Sequence, residues 1–503
     1  AAASSQVATD LVRIGLLELE LGRRADAESA LAEALRIRRR LLPSTAMEAE
    51  AAYALGRLRL EQGRRAEALD LYGSAVRALD EQWLRLGGSE ESRLTWAASH
   101  AEIYRAYIDL LVASGDEEGA FAILERQRAR VLRDLLAERD LELPTTDSVR
   151  RLEEARIDLA VERERILRRL ADLGGADTAE EQSLLDELAE LRTERERLEA
   201  SVRAEAPAFA DLKYPTPLSA SEVATVLGPG AVLVAFSVGT GSTVVFALGR
   251  SADGRAELRA ARIEIGADAL RDRVETLRGL LARRDPAELD ELERVAGGLY
   301  RDLLAPLEPQ LATAERLLVS ADGPLQRLPF GVLRSGRGYL IESRSLSTVP
   351  SATLYATLRG GKPEGRSGTG AAFRNPLSRR GSREEPDDRS QLAPLPASRI
   401  EVEALREELA LPVVTYLGAQ ATEERAKAIG PDARVIHFAT HAVLDEKLPL
   451  SSALALASPK EDGTSTENGM LYAWEVFEQI RLDADLVTLA ACETALGREA
   501  SGE

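Results

Sequence analysis

The sequence predicts a multidomain protein: an all-α solenoid of helical repeats and a helical hairpin, followed by an α/β domain whose mainly parallel sheet is flanked by helices. Three observations carry that reading. A pattern marked by glycine and alanine recurs in the first third, two leucine-rich helical runs follow it, and β-branched runs dominate only beyond Pro207. At 503 residues the chain also exceeds the ~250–300 at which single cores usually divide.

Residues 1–140 read as the repeats. Leu21-Gly22-Arg23-Arg24-Ala25-Asp26-Ala27-Glu28 aligns with Gln62-Gly63-Arg64-Arg65-Ala66-Glu67-Ala68-Leu69, and Ala34 and Ala75 keep the same offset of 41 residues. A glycine closing one helix, and alanines where two helices cross, are what a stacked helical hairpin requires. A third unit follows at Leu111-Val112-Ala113-Ser114-Gly115-Asp116. The period is longer than the roughly 34 residues of a standard tetratricopeptide repeat, so the segment reads as a longer-helix version of one. Such stacks curve into solenoids whose concave face receives a peptide or protein partner. The plainer alternative is a rigid spacer.

Residues 141–206 read as an antiparallel coiled-coil hairpin. Leu152, Leu159, Ile166, Leu170 and Leu173 recur at multiples of roughly 3.5. Gly174-Gly175 ends that run. Thr178 with Glu181 restarts it as a capping box, and Leu184, Leu188, Leu191, Leu198 and Val202 supply the facing seam.

Residues 207–503 read as the α/β domain. Val232-Leu233-Val234-Ala235-Phe236-Ser237-Val238 and Thr243-Val244-Val245-Phe246-Ala247-Leu248 flank the turn Gly239-Thr240-Gly241-Ser242 and read as a hairpin. The turn lacks the lysine and spacing of a phosphate loop, and no G-x-S-x-G elbow points to a serine hydrolase. Residues 359–391 accumulate glycine, serine, arginine and proline with almost no large apolar side chains. They read as a mobile surface loop, either an ordinary variable one or a regulatory one.

The chemistry concentrates near the end of the chain. Val435-Ile436-His437-Phe438-Ala439-Thr440 and Leu486-Val487-Thr488-Leu489-Ala490-Ala491 are apolar runs without alternation, typical of parallel strands covered on both faces. One ends at His441 and the other, 51 residues later, at Cys492, the only cysteine. In open parallel sheets, ligands bind outside the C-terminal strand ends. A thiol near its ordinary pKa of about 8.5 is little ionised at neutral pH, so a nucleophilic cysteine needs an imidazole or a helix N-terminus beside it. The imidazole then returns a proton to the leaving amine. A cysteine in an apolar run is by itself more often an inert buried side chain; the histidine at this separation favours a catalytic pair.

The segments Val435-Ile436-His437-Phe438-Ala439-Thr440-His441-Ala442 and Leu489-Ala490-Ala491-Cys492-Glu493-Thr494-Ala495-Leu496-Gly497 resemble the two active-site blocks of CHAT domains, caspase-like domains associated with tetratricopeptide repeats. Four further blocks occur in that family's order: Ala321-Asp322-Gly323-Pro324-Leu325-Gln326-Arg327-Leu328-Pro329-Phe330, Val349-Pro350-Ser351-Ala352, Leu395-Pro396-Ala397-Ser398 with Glu401 beyond, and Leu417-Gly418-Ala419-Gln420-Ala421-Thr422. The resemblance implies a caspase-like α/β domain of the caspase and separase clan, acting as a cysteine endopeptidase on a protein substrate. It implies Cys492 as nucleophile, His441 as general acid and base, the backbone N–H groups of Ala442 and Cys492 as the oxyanion site, and no cofactor. Many relatives carry glycine after the histidine; Ala442 keeps the N–H. Members continue past the cysteine block, whereas this sequence stops at Glu503 and starts at Ala1 without a methionine. A fragment is therefore expected, with the α/β domain incomplete at its C-terminus. A second class of function stays open: a non-catalytic signalling scaffold whose repeats are the working part.

His437 and His441 stand four apart, yet in a strand context and without the glutamate of a helical H-E-x-x-H pair. A metal is not expected, and His437 is assigned a supporting role beneath the site. The formal net charge of −19 argues against direct nucleic-acid binding. A single cysteine excludes an internal disulfide framework and favours a reducing, cytoplasmic setting. No stretch approaches the ~20 apolar residues of a membrane span. The expected partners are a protein substrate and a regulatory protein held by the repeats.

Overall fold

The computed structural model describes residues 5–83, 86, 90–128, 147–172, 178–206, 217–251, 253–359, 367–374, 395, 398–443, 445, 449–457 and 467–490. They fall into two compact units, one within Ala1–Gly361 and one within Lys362–Glu499.

The first unit opens with three helical hairpins: α1 (Ser5–Glu20) with α2 (Arg24–Leu41), α3 (Ala46–Glu61) with α4 (Arg65–Trp83), and α5 (Glu90–Ala113) with α6 (Glu117–Gln127). Each turns at a glycine in the left-handed region, Gly22, Gly63 and Gly115, with φ of 75°, 75° and 82°. A side chain there would be strained. The same closing bonds recur at each turn: the N–H groups of Arg23, Arg64 and Asp116 reach back to the carbonyls of Glu18, Arg59 and Leu111, the helix ending that a left-handed residue makes possible. Ala27, Ala34, Ala68 and Ala75 are wholly buried, so the small side chains do mark the helix crossings. α7 (Asp147–Asp172) and α8 (Thr178–Glu205) follow as an antiparallel pair. Val149 packs on Val202 near one end and Ile166 on Leu184 near the other. Arg163 and Arg195 tie the pair to Glu81 of α4 at 3.3 and 3.6 Å.

Beyond α9 (Ala220–Val226) come β1 (Ala231–Val238), β2 (Thr243–Arg250), β3 (Ala256–Ile263), α10 (Ala267–Arg283), α11 (Leu289–Leu303) and β4 (Arg316–Ser320). After them come a two-residue-stranded hairpin of β5 (Arg334–Ser335) and β6 (Gly338–Tyr339), then β7 (Ser345–Thr348) and α12 (Ala352–Arg359). The main sheet is mixed, in the order β3-β2-β1-β4-β7. β1 runs antiparallel to β2 and parallel to β4. Val232, Val234 and Phe236 of β1 share a core with Leu270, Val274 and Leu299 of α10 and α11. The alternate residues Leu233 and Ala235 share another with Phe121 and Leu124 of α6 and Val223 of α9. Both faces are covered, which is why β1 is apolar without alternation.

The last repeat helix is thus built into the sheet layer. Its Glu125 is 0 % exposed and its carboxylate accepts the N–H groups of Ala352 and Thr353 at 3.1 and 2.7 Å, capping the start of α12. Arg128, just after α6, is 2 % exposed. It donates to the Ser320 hydroxyl and the Ala321 carbonyl at 3.0 and 2.6 Å, and to the carbonyl of Phe236.

The second unit holds β8 (Thr369–Arg374), α13 (Ser398–Glu408), β9 (Val413–Leu417), α14 (Glu423–Lys427), β10 (Ala433–Ala439), β11 (His441–Val443), β12 (Ala453–Ala455), β13 (Met470–Tyr472), α15 (Ala473–Gln479) and β14 (Leu486–Leu489). Its main sheet has the order β14-β10-β8-β9, with every pairing parallel. β11, β12 and β13 make a small antiparallel sheet. One expectation is corrected here. Residues 369–374 lie inside the segment read as a mobile loop, yet they form β8 between β10 and β9. Phe373 is wholly buried and stacks on Phe438 at 4.8 Å and on Tyr416 at 4.7 Å. One phenylalanine with two alanines suffices for a strand packed between two others, and averaging over the long polar segment hid it. The rest of that segment lies largely outside the described residues. Among the described residues no helix is long and apolar enough to cross a membrane.

Candidate active site

β10 is the strand from which the site is built. Ile436 and Phe438 join the core that includes Phe373 and Ile480, while Ala439, on the other face, packs with Val402 of α13. Alternate residues of one strand therefore meet two different layers, which fixes the register of the strand end. β14 lies parallel beside it, pairing Val435 with Leu486, Ile436 with Val487, His437 with Thr488 and Phe438 with Leu489. The N–H of Ala490 then donates to the Phe438 carbonyl at 2.8 Å.

Past Ala439, the buried Thr440 donates its hydroxyl to the carbonyl of Ala455. The chain turns there into β11, where His441 pairs with Ala455 and Ala442 with Leu454. His441 and Ala442 are half-buried at the C-terminal end of the central strand. In sequence, His441 stands three positions beyond Phe438, the last residue of β10 paired with β14, and Cys492 stands three beyond its partner Leu489. Cys492 itself lies outside the described residues.

His437 is 4 % exposed. Its Nε2 is 3.3 Å from a carboxylate oxygen of Glu401 on α13, but neither ring nitrogen makes an aligned hydrogen bond among the described residues. Burial lowers its pKa below the ordinary 6.5, and Glu401 opposes that shift. The folded ring therefore binds a proton less readily than the unfolded one. Its contribution to stability is complete above about pH 6.5 and is lost as the pH falls below that value. Chemical unfolding of the second unit followed from pH 8 to pH 5 should show this loss, and His437→Phe should flatten it; equal slopes for the two proteins would contradict the assignment.

A charged cluster that sequence reasoning missed holds the small sheet of His441 in place. The Nζ of Lys427 on α14 lies 2.7, 2.6 and 2.7 Å from the carboxylates of Glu423, Glu467 and Glu475. Glu423 also accepts the Gly469 N–H at 2.8 Å, and Glu475 accepts the Tyr472 N–H at 2.9 Å, capping α15. Gly469 and Tyr472 bracket β13, which pairs β12, which pairs β11. Burial, together with its neighbour Glu467, pushes the Glu423 carboxyl up to about 7. For Lys427 burial works downward, but the three carboxylates outweigh it and its pKa is raised. Three carboxylates this close are a plausible cation cage, and the ammonium supplies the cation. Only the Glu423 to Lys427 spacing of one helical turn was readable in the sequence; the other two acids arrive from forty or more residues away. Lys427→Met should destabilise the second unit by about 3 kcal/mol at pH 8, the cost of stranding buried carboxylates. The loss should be smaller at pH 5, where protonation relieves them. Urea unfolding at the two pH values checks both statements.

An all-α repeat region followed by parallel and mixed sheets flanked by helices is the architecture of repeat proteins carrying a caspase-like domain. Comparison with protein families names the parts. Residues 293–503 match the CHAT domain and residues 6–81 match a tetratricopeptide repeat model. The chain therefore carries a CHAT domain, a caspase-like, peptidase-related domain, behind a tetratricopeptide-repeat region. A comparison with curated proteins finds no match.

Proposed function

We propose that the protein is a cysteine endopeptidase of the caspase-like clan, using Cys492 and His441, with a regulatory protein received by the repeats in the cytoplasm. The observation that supports this reading best is the register of β10 and β14. Phe438 and Leu489 are the last residues these two adjacent parallel strands pair, and in sequence His441 and Cys492 each follow three positions later, toward the strand ends where such sheets bind ligands.

In the proposed reaction the Cys492 thiolate attacks the carbonyl carbon of the scissile peptide, and the backbone N–H groups of Ala442 and Cys492 hold the developing oxyanion. The His441 imidazolium gives its proton to the departing nitrogen as the C–N bond breaks, leaving a thioester. A water molecule then gives its proton to His441 and adds to the thioester carbon. The C–S bond breaks, the thiolate returns and a carboxylate product leaves. His437, a buried residue of β10, packs beneath the site and supports it rather than touching the substrate. These steps call for no cofactor.

The test compares the full-length protein with its Cys492→Ala variant against a diverse peptide library, with and without lysate from the native source. Cleavage that needs Cys492 supports the peptidase. Identical outcomes for the two proteins under both conditions would favour a repeat scaffold with an inactive domain.

A further inference from the structure

We propose that the first unit binds a peptide main chain in the cavity between α5 and the β1–β2 turn, with Glu102 and Arg105 as the hydrogen-bonding pair. The inference deepens the partner-binding role given to the repeats and is independent of the peptidase chemistry.

The cavity measures about 570 Å³ and is lined by Tyr72, Glu102, Arg105, Asp109, Thr240 and Arg262, among others. That size lies within the ~300–1,000 Å³ of ordinary ligand sites. Its wall is well fixed. The Gly239 N–H donates to the Ser242 carbonyl at 2.8 Å, and the Val238 N–H donates to Asp322 at 2.7 Å. Gly266 packs so tightly behind the turn that a Cβ there would sit 1.9 Å from the Thr240 carbonyl oxygen. Asp109 is already satisfied, by Arg262 at 2.6 Å and the Ser242 hydroxyl at 3.2 Å.

Two atoms in this wall are left over. Glu102 Oε2 and Arg105 Nε are both buried without a hydrogen-bond partner among the described residues. Their side chains are otherwise held only loosely: Glu102 Oε1 is 3.4 Å from the Thr240 hydroxyl, and Arg105 lies 3.5 Å from Asp322. Burial raises the Glu102 carboxyl above its ordinary value, as expected of an acceptor short of donors. The two residues stand three apart on α5, on one helix face. Each residue lines the cavity and is half-buried as a whole; in the proposed complex a side-chain rotation turns the idle atom toward the occupant.

What remains unsatisfied is one acceptor beside one donor. A simple cation would leave Arg105 unanswered and a simple anion would leave Glu102 unanswered. A peptide unit carries an N–H donor and a C=O acceptor together, and stacked helical repeats present this kind of surface to extended segments. The turn Gly239-Thr240-Gly241-Ser242, which is no phosphate loop, thereby acquires a role as the far wall of a peptide site.

The experiment uses the full-length protein in a Cys492→Ala background, so that no probe is cut. The probes are fluorescein-labelled octapeptides of random sequence, blocked at both ends and followed by anisotropy. Glu102→Ala and Arg105→Ala should each weaken the peptides bound by the parent about tenfold, while Glu102→Gln, which keeps an acceptor, should stay within about threefold. Gly241→Trp should abolish binding, because a Cβ at Gly241 meets nothing within 4 Å and the ring enters open space. N-methylation of one main-chain nitrogen in a bound peptide should also cost about tenfold. Melting curves check folding, and Glu102→Ala leaves the contact between Arg105 and Asp322 in place. Peptides held equally well by the parent, Glu102→Ala and Gly241→Trp would overturn the cavity while leaving partner binding elsewhere on the repeats. A parent that holds no peptide would overturn it outright.

Discussion

Replacing His441 with alanine is expected to lower kcat/KM for peptide hydrolysis by about 10³-fold, within the ~10²–10⁴ that a positioned acid–base group supplies. The loss should be almost purely chemical. His441 is half-buried at a strand end, and the fold around it is held by other groups: the hydroxyl of Thr440, the β11–β12 pairing and the ammonium of Lys427. The melting temperature should therefore hardly move. Steady-state assays on a cleaved library peptide, run from pH 5 to pH 9 alongside melting curves, measure both. A variant that loses activity only because it unfolds would not support the assignment.

Glu125→Ala is expected to have the largest effect on stability, about 3–5 kcal/mol in the first unit. The substitution leaves the N–H groups of Ala352 and Thr353 buried without an acceptor, and it removes the cap of α12. Arg128→Ala should cost a comparable amount, since the Ser320 hydroxyl and the carbonyls of Ala321 and Phe236 lose a common donor. Glu125→Gln should cost less, because one amide oxygen still accepts. Hydrogen exchange at the amides of β1 and β4 reports the loss locally, free of any contribution from the second unit. A change below about 1 kcal/mol for Glu125→Ala would mean that α6 is not built into the sheet as described.

These two residues also show where sequence reasoning stops. Glu125 and Arg128 sit in the polar run Glu125-Arg126-Gln127-Arg128, yet both are buried. Their partners are backbone groups and the Ser320 hydroxyl, between 108 and 228 residues away, and no local pattern announces that. The opposite holds for the repeats. Gly22, Gly63 and Gly115 answer a purely local demand for a left-handed residue, so their spacing was readable. β1 and β10 were legible as well, because strands covered on both faces must be continuous apolar runs; β14 was found by the same apolar run, but the expected double cover fails there, since Leu486, Val487 and Leu489 are exposed at the edge of the sheet. β8 was not. Gly370 faces Val413 so closely that a Cβ there would lie 3.0 Å from its methyl group, and the small residues this requires look like loop in sequence. Sequence also could not divide its strands between a mixed sheet in the first unit and a parallel sheet in the second, since either kind of covered strand has the same composition. Of the candidate site, the strand-end position of His441 was legible from the run that precedes it; Cys492 falls outside the described residues and stands on sequence and family resemblance.

The central claim is that His441 and Cys492 work as a pair, and alkylation tests it most directly. Cys492 is the only cysteine in the chain, so the mass gained from iodoacetamide reports one thiol. The rate should be measured against pH in the wild type and in His441→Ala. The account predicts a wild-type thiol that reacts well below pH 8.5, the ordinary midpoint of about 8.5 for a free cysteine, and a variant whose rate at pH 7 falls at least about tenfold as its midpoint returns toward that value. Identical curves for the two proteins, both with the ordinary midpoint, would contradict it.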